Sequence, residues 1–372
     1  MAEQALDTSL GVSGGLFLAA PRRTGKSTFV RQDLLPELRS RDVDVIYVDL
    51  WIDKSKDPAI HIANAVRAEL SKDDGPISKL AKMMGVTKLT IGAMGSGLNF
   101  DLSQLGLHAD STLTDALQAL SRNGKRKLVI VIDEAQHALT TDQGMAALFS
   151  LKAARDSLNT DDGLHGMTLI ATGSNRDKLA TLVNGREQAF YGADMIDFPQ
   201  LDAEYVKWVI AKAKLNLDGS RALDVFSRLG FRPESFLRAL SATRRQVVIK
   251  PGTDADALLL QQAQDSLRSA RVDFLNTITS LPPLQAALLR ELALDASIPP
   301  GQTRIGVFSA AMRARLQQRL RTEVAGGGED IAVEAPSIQN AMDSLREKNF
   351  LWRSQRGAYW IEDEQFLEWL IA

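Results

Sequence analysis

Apolar runs alternate with helix-like segments along the first 200 residues. Five short runs are almost wholly apolar: 16–19, 43–50, 127–133, 167–173 and 195–198. Such runs of Val, Ile and Leu are typical of strands that a parallel sheet buries on both faces. Between them, apolar residues recur at the spacing of a helix, as at 58–70 and 77–84. The pattern predicts an α/β fold with right-handed βαβ connections and an additional strand between the strands that end before Ala20 and at Asp133.

From residue 202 onward the pattern is helical, and it changes again at Pro282-Pro283. Four segments with helical periodicity predict a lid: 203–215, 219–229, 233–245 and 255–274. Further helices are predicted at 284–294, 307–320 and 337–348, and two short β runs follow at 350–353 and 359–361. Three helices followed by a hairpin are the arrangement of a winged helix. We therefore divide the chain into a P-loop core at 1–200, a helical lid at 201–279 and a winged-helix domain at 280–372.

Composition narrows the possible classes of protein. The 372 residues are 45% hydrophobic and 24% charged, with a formal net charge of −2, so any nucleic-acid contact must come from a local basic patch. The chain has no cysteine, which excludes disulfides and thiolate metal sites. The four histidines show no ligand spacing, and no metal other than magnesium is expected. Without a signal peptide or a run of roughly twenty apolar residues, we expect a cytoplasmic protein with no membrane contact.

The loop after the first predicted strand carries the most specific chemistry. It reads Ala20-Pro-Arg-Arg-Thr-Gly-Lys-Ser27 and opens a predicted helix. The amides of such a loop and the helix N-terminus bind phosphate, the lysine reaches the terminal phosphates and the hydroxyl holds Mg²⁺. Ala20 departs from the pattern, which has glycine at that position. The expected ligands are ATP and Mg²⁺, and the candidate binding residues are Ala20, Pro21, Arg22, Arg23, Thr24, Gly25, Lys26, Ser27 and Thr28.

Polar side chains follow two of the other predicted strands. Asp133 ends the run at 127–133 and Glu134 follows it, and Ser174 and Asn175 follow the run at 167–173. Ligands gather at the carboxyl ends of parallel strands. Asp133 is therefore expected to bind magnesium with Ser27, and Glu134 to activate water as the catalytic base. Ser174 is a candidate sensor or helix N-cap, and Asn175 is the better candidate for contact with the γ-phosphate.

These motifs, in this order, resemble the archaeal-type ATPases of the STAND group, which are relatives of AAA+ proteins and origin-recognition initiators. The resemblance covers roughly the whole chain and includes the predicted hairpin near 88–101, the strand end Thr172-Gly-Ser-Asn175 and the lid motif Leu229-Gly-Phe-Arg-Pro-Glu234. It implies ATP binding, slow hydrolysis and a nucleotide-gated switch. It also implies that Arg232 is the second sensor, whose lid position closes on the γ-phosphate.

One residue that the resemblance leads us to expect, an arginine, is missing from this chain. Ala193 stands where relatives often carry an arginine that acts on a neighbouring subunit. Arg186 lies nearby and is a substitute candidate if the protein assembles as a homo-oligomer.

The output of the switch has two interpretations. Residues 304–321 contain five arginines and no acid, and the predicted wing contains two more arginines. These basic residues favour contact with the backbone of double-stranded DNA. They are Arg304, Arg313, Arg315, Arg319 and Arg321 in the first segment and Arg353 and Arg356 in the wing. However, the expected recognition helix carries Asp343 and Glu347, which favours docking of a partner protein instead. A P-loop kinase is a third and weaker hypothesis, because the Asp-Glu pair and the sensor strand favour hydrolysis.

Overall fold

The computed structural model describes residues 3, 6, 15–21, 23–70, 87–91, 98–101, 108–297, 306–323, 331–353 and 358–371. Only the backbone is described at 87–91, 98–101 and 108–111 and at residues 123 and 364. The predicted helix at 77–84 and the candidates Arg22, Arg304 and Arg356 lie outside the described residues. The chain forms two compact units, one of Met1–Arg22 and Lys26–Phe198, and one of Arg23–Gly25 and Pro199–Ala372.

The first unit is built on a five-stranded parallel sheet with the order β2-β6-β7-β1-β8. Its strands are β1 (Leu16–Ala19), β2 (Val43–Asp49), β6 (Lys127–Asp133), β7 (Met167–Gly173) and β8 (Asp194–Asp197). Strand β7 lies between β1 and β6, so the predicted additional strand and the α/β fold class are confirmed.

A three-stranded sheet belongs to the same unit. Its order is β4-β3-β5, with strands β3 (Thr87–Ile91), β4 (Leu98–Asp101) and β5 (His108–Thr112). Strands β3 and β4 pair antiparallel, as the predicted hairpin requires. Strand β5, which the sequence pattern did not predict, pairs parallel with β3.

Helices cover both faces of the main sheet, because alternate side chains of each strand point to opposite faces. One core contains Phe17, Ile130 and Leu169, and the other contains Leu18, Val131 and Ile170. The helices of the unit are α1 (Lys26–Phe29), a π-helical segment (Val30–Leu34), α2 (Leu35–Ser40), α3 (Pro58–Leu70), α4 (Leu113–Gly124), a 3₁₀ helix (Ala135–Thr140), α5 (Asp142–Thr160) and α6 (Arg176–Asn184).

The parallel register aligns three strand ends at one edge of the sheet. Ala19 of β1 is paired with Gly173 of β7, and Asp49 of β2 with Asp133 of β6. The chain segments that leave β1, β6 and β7 therefore emerge side by side. This edge is where the candidate site residues of the first unit meet.

The second unit is helical and contains two hydrophobic cores. Its elements are α7 (Ala203–Ala213), α8 (Gly219–Arg228), α9 (Pro233–Ile249), α10 (Ala255–Thr279), α11 (Pro283–Ala296), α12 (Ala310–Glu323), α13 (Ala335–Glu347), β9 (Leu351–Arg353), β10 (Tyr359–Ile361) and α14 (Glu364–Ile371). Helices α7 to α9 and the first half of α10 enclose one core, and the end of α10 with α11 to α14 encloses the other. Strands β9 and β10 form an antiparallel hairpin after three helices, in the predicted order.

Helix α10 is the element that the two cores share. Leu259 and Ala263 pack in the first core, whereas Phe274 and Ile278, three turns further on, pack in the second. Phe274 stacks on Phe366 of α14 with ring centroids 4.1 Å apart. No helix in the described part of the chain has both the length and the apolar character needed to cross a membrane.

Candidate functional site

The loop that follows β1 has an ordinary backbone at Ala20 and a left-handed one further along. Positive φ angles occur at Arg23 (69°) and Gly25 (90°), and Ala20 is not among the residues with positive φ. The Cβ of alanine is therefore tolerated at the first position of the motif, whereas Gly25 occupies a conformation that side chains rarely adopt. The amide of Ala20 donates to the carbonyl of Gly173, 3.2 Å away, which fixes the loop to the end of β7.

Lys26, the first residue of α1, is the only cation that directly contacts the two carboxylates at this edge among the described residues. Its side chain is 5% exposed, and its Nζ lies 2.7 Å from Oε1 of Glu134 and 3.9 Å from Oδ1 of Asp133. Ser27 is half-buried and Thr28 is exposed on the same helical turn. The structure thus brings Lys26, Asp133 and Glu134 together as the sequence predicted.

Asp133 is almost wholly buried, with 1% of its surface exposed. Its Oδ1 accepts hydrogen bonds from the hydroxyl of Thr172 and, at 3.1 Å, from the amide of Glu134. The hydroxyl of Tyr47 lies 3.5 Å from Oδ2. The three contacts hold the carboxylate at the end of β6. Oδ2 is the less engaged of its two oxygens, because Oδ1 accepts two hydrogen bonds and Oδ2 only the longer one from Tyr47.

Tyr47 is itself held by Arg31, which donates to its hydroxyl from Nε at 3.1 Å and to Asp49 from a terminal nitrogen at 2.6 Å. Burial raises the pKa of Tyr47 to about 12. The phenol is therefore protonated at neutral pH and can donate its hydrogen to Asp133.

Glu134 has a left-handed backbone, with φ 58° and ψ 43°, an uncommon conformation for a residue other than glycine. Its Oε2 accepts hydrogen bonds from the hydroxyl of Ser174 at 2.7 Å, the amide of Ser174 at 3.3 Å and Nε2 of Gln136 at 2.5 Å. Burial by itself raises the pKa of Glu134, but the charge of Lys26 and the hydrogen bonds outweigh it, so the pKa is lowered. The carboxylate is ionised and held at both oxygens.

One of the two alternatives for Ser174 is excluded at the end of β7. Asn175, not Ser174, caps helix α6: its Oδ1 accepts from the amide of Lys178 at 2.8 Å. Ser174 instead reaches the Glu134 carboxylate. Of the two roles left open for Ser174, site residue or N-cap, the structure contradicts the N-cap, because α6 begins at Arg176 and Asn175 precedes it.

Three residues of the site were missed by the sequence reasoning: Tyr47, Gln136 and Thr172. Tyr47 and Thr172 lie within apolar strands, and such positions are typical of core residues. Gln136 stands two residues after Glu134, and this proximity was the only available signal.

Arg232, the predicted second sensor, is the residue that precedes α9 in the second unit. Its guanidinium forms an ion pair with Asp363, which directly precedes α14, and the two side chains are 19% and 16% exposed. Gln365 adds a hydrogen bond to the carbonyl of Arg228 at 3.2 Å. Arg232 is thus engaged by a carboxylate from the C-terminal end of its own unit.

The arginines of α12 differ from one another in a way that the sequence did not indicate. Nε of Arg319 lies 2.6 Å from Glu291 of α11, and one of its terminal nitrogens lies 2.7 Å from Glu323. Arg315 lies 3.8 Å from the same Glu291. The expectation that this helix carries arginines unbalanced by acid is therefore wrong for Arg319, because the balancing acids come from α11 and from the end of α12. Arg313 and Arg321 are exposed, and so is Arg353, whose guanidinium lies over the ring of Tyr359.

The comparisons with known proteins agree with this geometry. Residues 12–179 match the family described as the AAA domain. The chain is similar in structure to a Walker-type ATPase of Pyrococcus abyssi, with a TM-score of 0.58 and 18% identity over 100% of this chain and 95% of that one. It is similar to the ORC2 protein of Aeropyrum pernix in its ADP form, with a TM-score of 0.58 and 12% identity over 99% and 90% of the two chains. No curated protein matches the sequence.

The fold and the site define a P-loop ATPase architecture, in which a strand, a loop and a helix present a lysine beside the acidic end of a neighbouring strand. The match of residues 12–179 to the AAA domain family agrees with this architecture, and the chain as a whole shares the fold of these two solved structures.

Proposed function

We propose that this protein binds ATP with Mg²⁺, hydrolyses it slowly and uses the nucleotide as a switch. The observation that carries the proposal is the ion pair of Lys26 with Glu134 beside Asp133. A single buried lysine faces two carboxylates, at a strand-loop-helix edge whose amides suit a polyphosphate. The Aeropyrum pernix ORC2 protein, which has the same fold, has been solved in an ADP form, and this likeness supports a nucleotide as the ligand.

Lys26 changes partner in this proposal. In the structure its Nζ is 2.7 Å from Glu134. A bound nucleotide brings terminal phosphates, which carry more negative charge than one carboxylate and draw the ammonium away from Glu134. Glu134 then keeps its Oε2 contacts, and its Oε1 becomes available to another donor.

The donors beside Lys26 fit magnesium. Mg²⁺ prefers hard oxygen ligands, and the Asp133 carboxylate and the Ser27 hydroxyl are of that kind. The less engaged Oδ2 of Asp133 and the hydroxyl of Ser27 would hold the ion, directly or through water. When bound, the ion neutralises charge on the β- and γ-phosphates.

Hydrolysis requires one base and one nucleophile. The oxygen of a water molecule forms a bond to the γ-phosphorus, the bond between that phosphorus and the β–γ bridging oxygen breaks, and the electron pair stays on ADP. The water proton passes to Oε1 of Glu134. An ionised, fixed carboxylate suits this role, because general-base catalysis needs an unprotonated acceptor at a defined position.

Ser174, Asn175 and Arg232 are the proposed sensors of the switch. Ser174 donates a hydrogen bond to Glu134 and directly follows β7. A shift of the Glu134 carboxylate would therefore be transmitted to the end of this strand. Arg232 would bind the γ-phosphate only after it leaves Asp363. Loss of the γ-phosphate would return Arg232 to that carboxylate, which gives the second unit two alternative states.

The test of this function is release of inorganic phosphate from ATP without any acceptor, measured with Mg²⁺ and again with EDTA. Wild-type protein should release phosphate only with the metal, and Glu134→Gln should bind ATP without releasing it. Arg186 takes part in none of the contacts described above. Phosphate release by Arg186→Ala tests whether a neighbouring copy contributes this arginine. Phosphate transfer to a small acceptor with no release would instead support a kinase.

For the output we propose contact with double-stranded DNA through a winged helix formed by α11 to α13 and the β9–β10 hairpin. Exposed Arg313, Arg321 and Arg353 support backbone contact. The alternative, docking of a partner protein, is supported by α13, where Asp343 forms an ion pair with Arg346 at 3.1 Å and Gln339 donates to Asp343 at 2.9 Å. Retardation of a duplex that weakens steeply with salt supports DNA, and no retardation at low salt supports the partner protein.

A further inference from the structure

Gln136 lies at the base of the candidate site and has no role in the function as described so far. It is the second residue of the 3₁₀ helix Ala135–Thr140, and only 3% of its surface is exposed. Its Nε2 lies 2.5 Å from Oε2 of Glu134 and 3.5 Å from the hydroxyl of Ser174. A buried amide that donates a hydrogen bond to a carboxylate fixes the position of that carboxylate.

The two oxygens of Glu134 have different surroundings. Oε1 contacts Lys26 at 2.7 Å. Oε2 accepts from Gln136 and from both the hydroxyl and the amide of Ser174. A phosphate that takes Lys26 removes the partner of Oε1 and leaves the three donors on Oε2 unaffected.

The end of β7 leaves space for the Gln136 amide. A Cβ added to Gly173 would lie 2.5 Å from Oε1 of Gln136, a distance that real contacts essentially never show. The amide carbonyl is turned toward β7 and the amide nitrogen toward Glu134. The glycine at the strand end thus permits the orientation in which Gln136 donates to the carboxylate.

We propose that Gln136 is a positioning residue for hydrolysis: with Ser174 it anchors Oε2 of Glu134, so that Oε1 alone exchanges Lys26 for the attacking water. The inference rests on the proposed function, since it assigns roles within the same site. Gln136 itself touches neither nucleotide nor water in this mechanism. It acts through the side chain of Glu134, whose left-handed backbone conformation costs free energy and persists only where surrounding contacts hold it.

The test is Gln136→Met, which keeps the length of the side chain and removes the donor. Single-turnover hydrolysis should slow by roughly 10- to 100-fold, because misplacement of a catalytic group by about 1 Å costs up to that much. The dissociation constant of ADP should be unchanged, since no nucleotide contact is lost. Gln136→Glu, which is isosteric and also lacks the donor, should slow the reaction at least as much through repulsion of Glu134.

A double-mutant cycle separates positioning from a general effect on folding. In a Glu134→Gln background, Gln136→Met should change the residual rate by less than about twofold, because residues that act through one another are not additive. Gln285→Met, a matched change of another buried glutamine in the second unit, should leave the rate unchanged.

Two outcomes overturn the inference. One is a wild-type rate in Gln136→Met when wild-type protein hydrolyses ATP. The other is the same fold-loss in both backgrounds of the cycle. Failure of the wild-type protein to hydrolyse ATP at all would count against the proposed function and is distinguishable from both.

Discussion

Each compact unit contains a cluster of cations and carboxylates, and the two clusters differ in charge, in burial and in where they lie in the fold. In the first unit, Lys26 faces Asp133 and Glu134, so one cation serves two acids. In the second, three arginines share two glutamates: Arg290, Arg315 and Arg319 with Glu291 and Glu323. The first cluster lies at the carboxyl ends of parallel strands, and the second joins helices α11 and α12.

The difference separates a site from a structural network. The first cluster has one positive charge for two negative charges, so a divalent cation bound there would offset the excess negative charge. It also includes a left-handed glutamate, a strain that recurs at functional sites. The second cluster has three arginines for two glutamates, and both glutamates already pair with arginines of regular helices, so it offers no place for a metal cation.

The largest effect is expected for Glu134→Gln. Glutamine keeps the shape but cannot accept the water proton, so turnover should fall by roughly 10²- to 10⁴-fold. ATP affinity should rise, because Lys26 no longer forms an ion pair that the phosphates must displace. Rapid-quench hydrolysis and titration with a fluorescent ATP analogue measure the two quantities. Turnover at the wild-type rate would show that Glu134 only begins the 3₁₀ helix.

Lys26→Ala should weaken ATP binding by about 100-fold or more, the loss expected when a charged group in a buried site loses its partner, about 3 kcal/mol. Calorimetric titration with ATP and Mg²⁺ checks this result. Lys54→Ala, which removes a cation that lies over the Trp51 ring in the same unit, is the matched control and should bind normally. Equal affinity of the Lys26 variant and wild type would remove the basis of the proposed site.

The sequence predicted the first cluster better than the second, for a physical reason. Lys26, Asp133 and Glu134 each stand in a short motif at a strand end, and parallel register brings strand ends together whatever the rest of the chain does. Tyr47 reaches Asp133 only because β2 and β6 are neighbours in register, and a pattern within one strand cannot show that. Likewise, Glu291, one of the two partners of Arg319, lies on another helix 28 residues earlier, so a count of acids over residues 304–321 missed it.

Glu291→Gln tests whether the second cluster is structural. Glu291 is 4% exposed and contacts two arginines. Its neutralisation should lower the free energy of unfolding by about 2 kcal/mol, less than for a fully buried pair because the arginines are partly exposed. Urea unfolding followed by circular dichroism gives the value. Asp224→Asn, which breaks the exposed pair with Arg228, should cost no more than about 0.5 kcal/mol.

The smallest effect separates two arginines of the same helix. Arg313 is exposed, whereas Arg319 is held by Glu291 and Glu323. If α12 contacts the DNA backbone, Arg313→Ala should lower duplex affinity and flatten the dependence of log affinity on log salt by about one unit. Arg319→Ala should leave that slope unchanged and lower the free energy of unfolding instead, because its charge is already neutralised within the protein. A slope that flattens equally in both variants would mean that Arg319 leaves its carboxylates to reach DNA, and the second cluster would then be a binding surface and not a structural network.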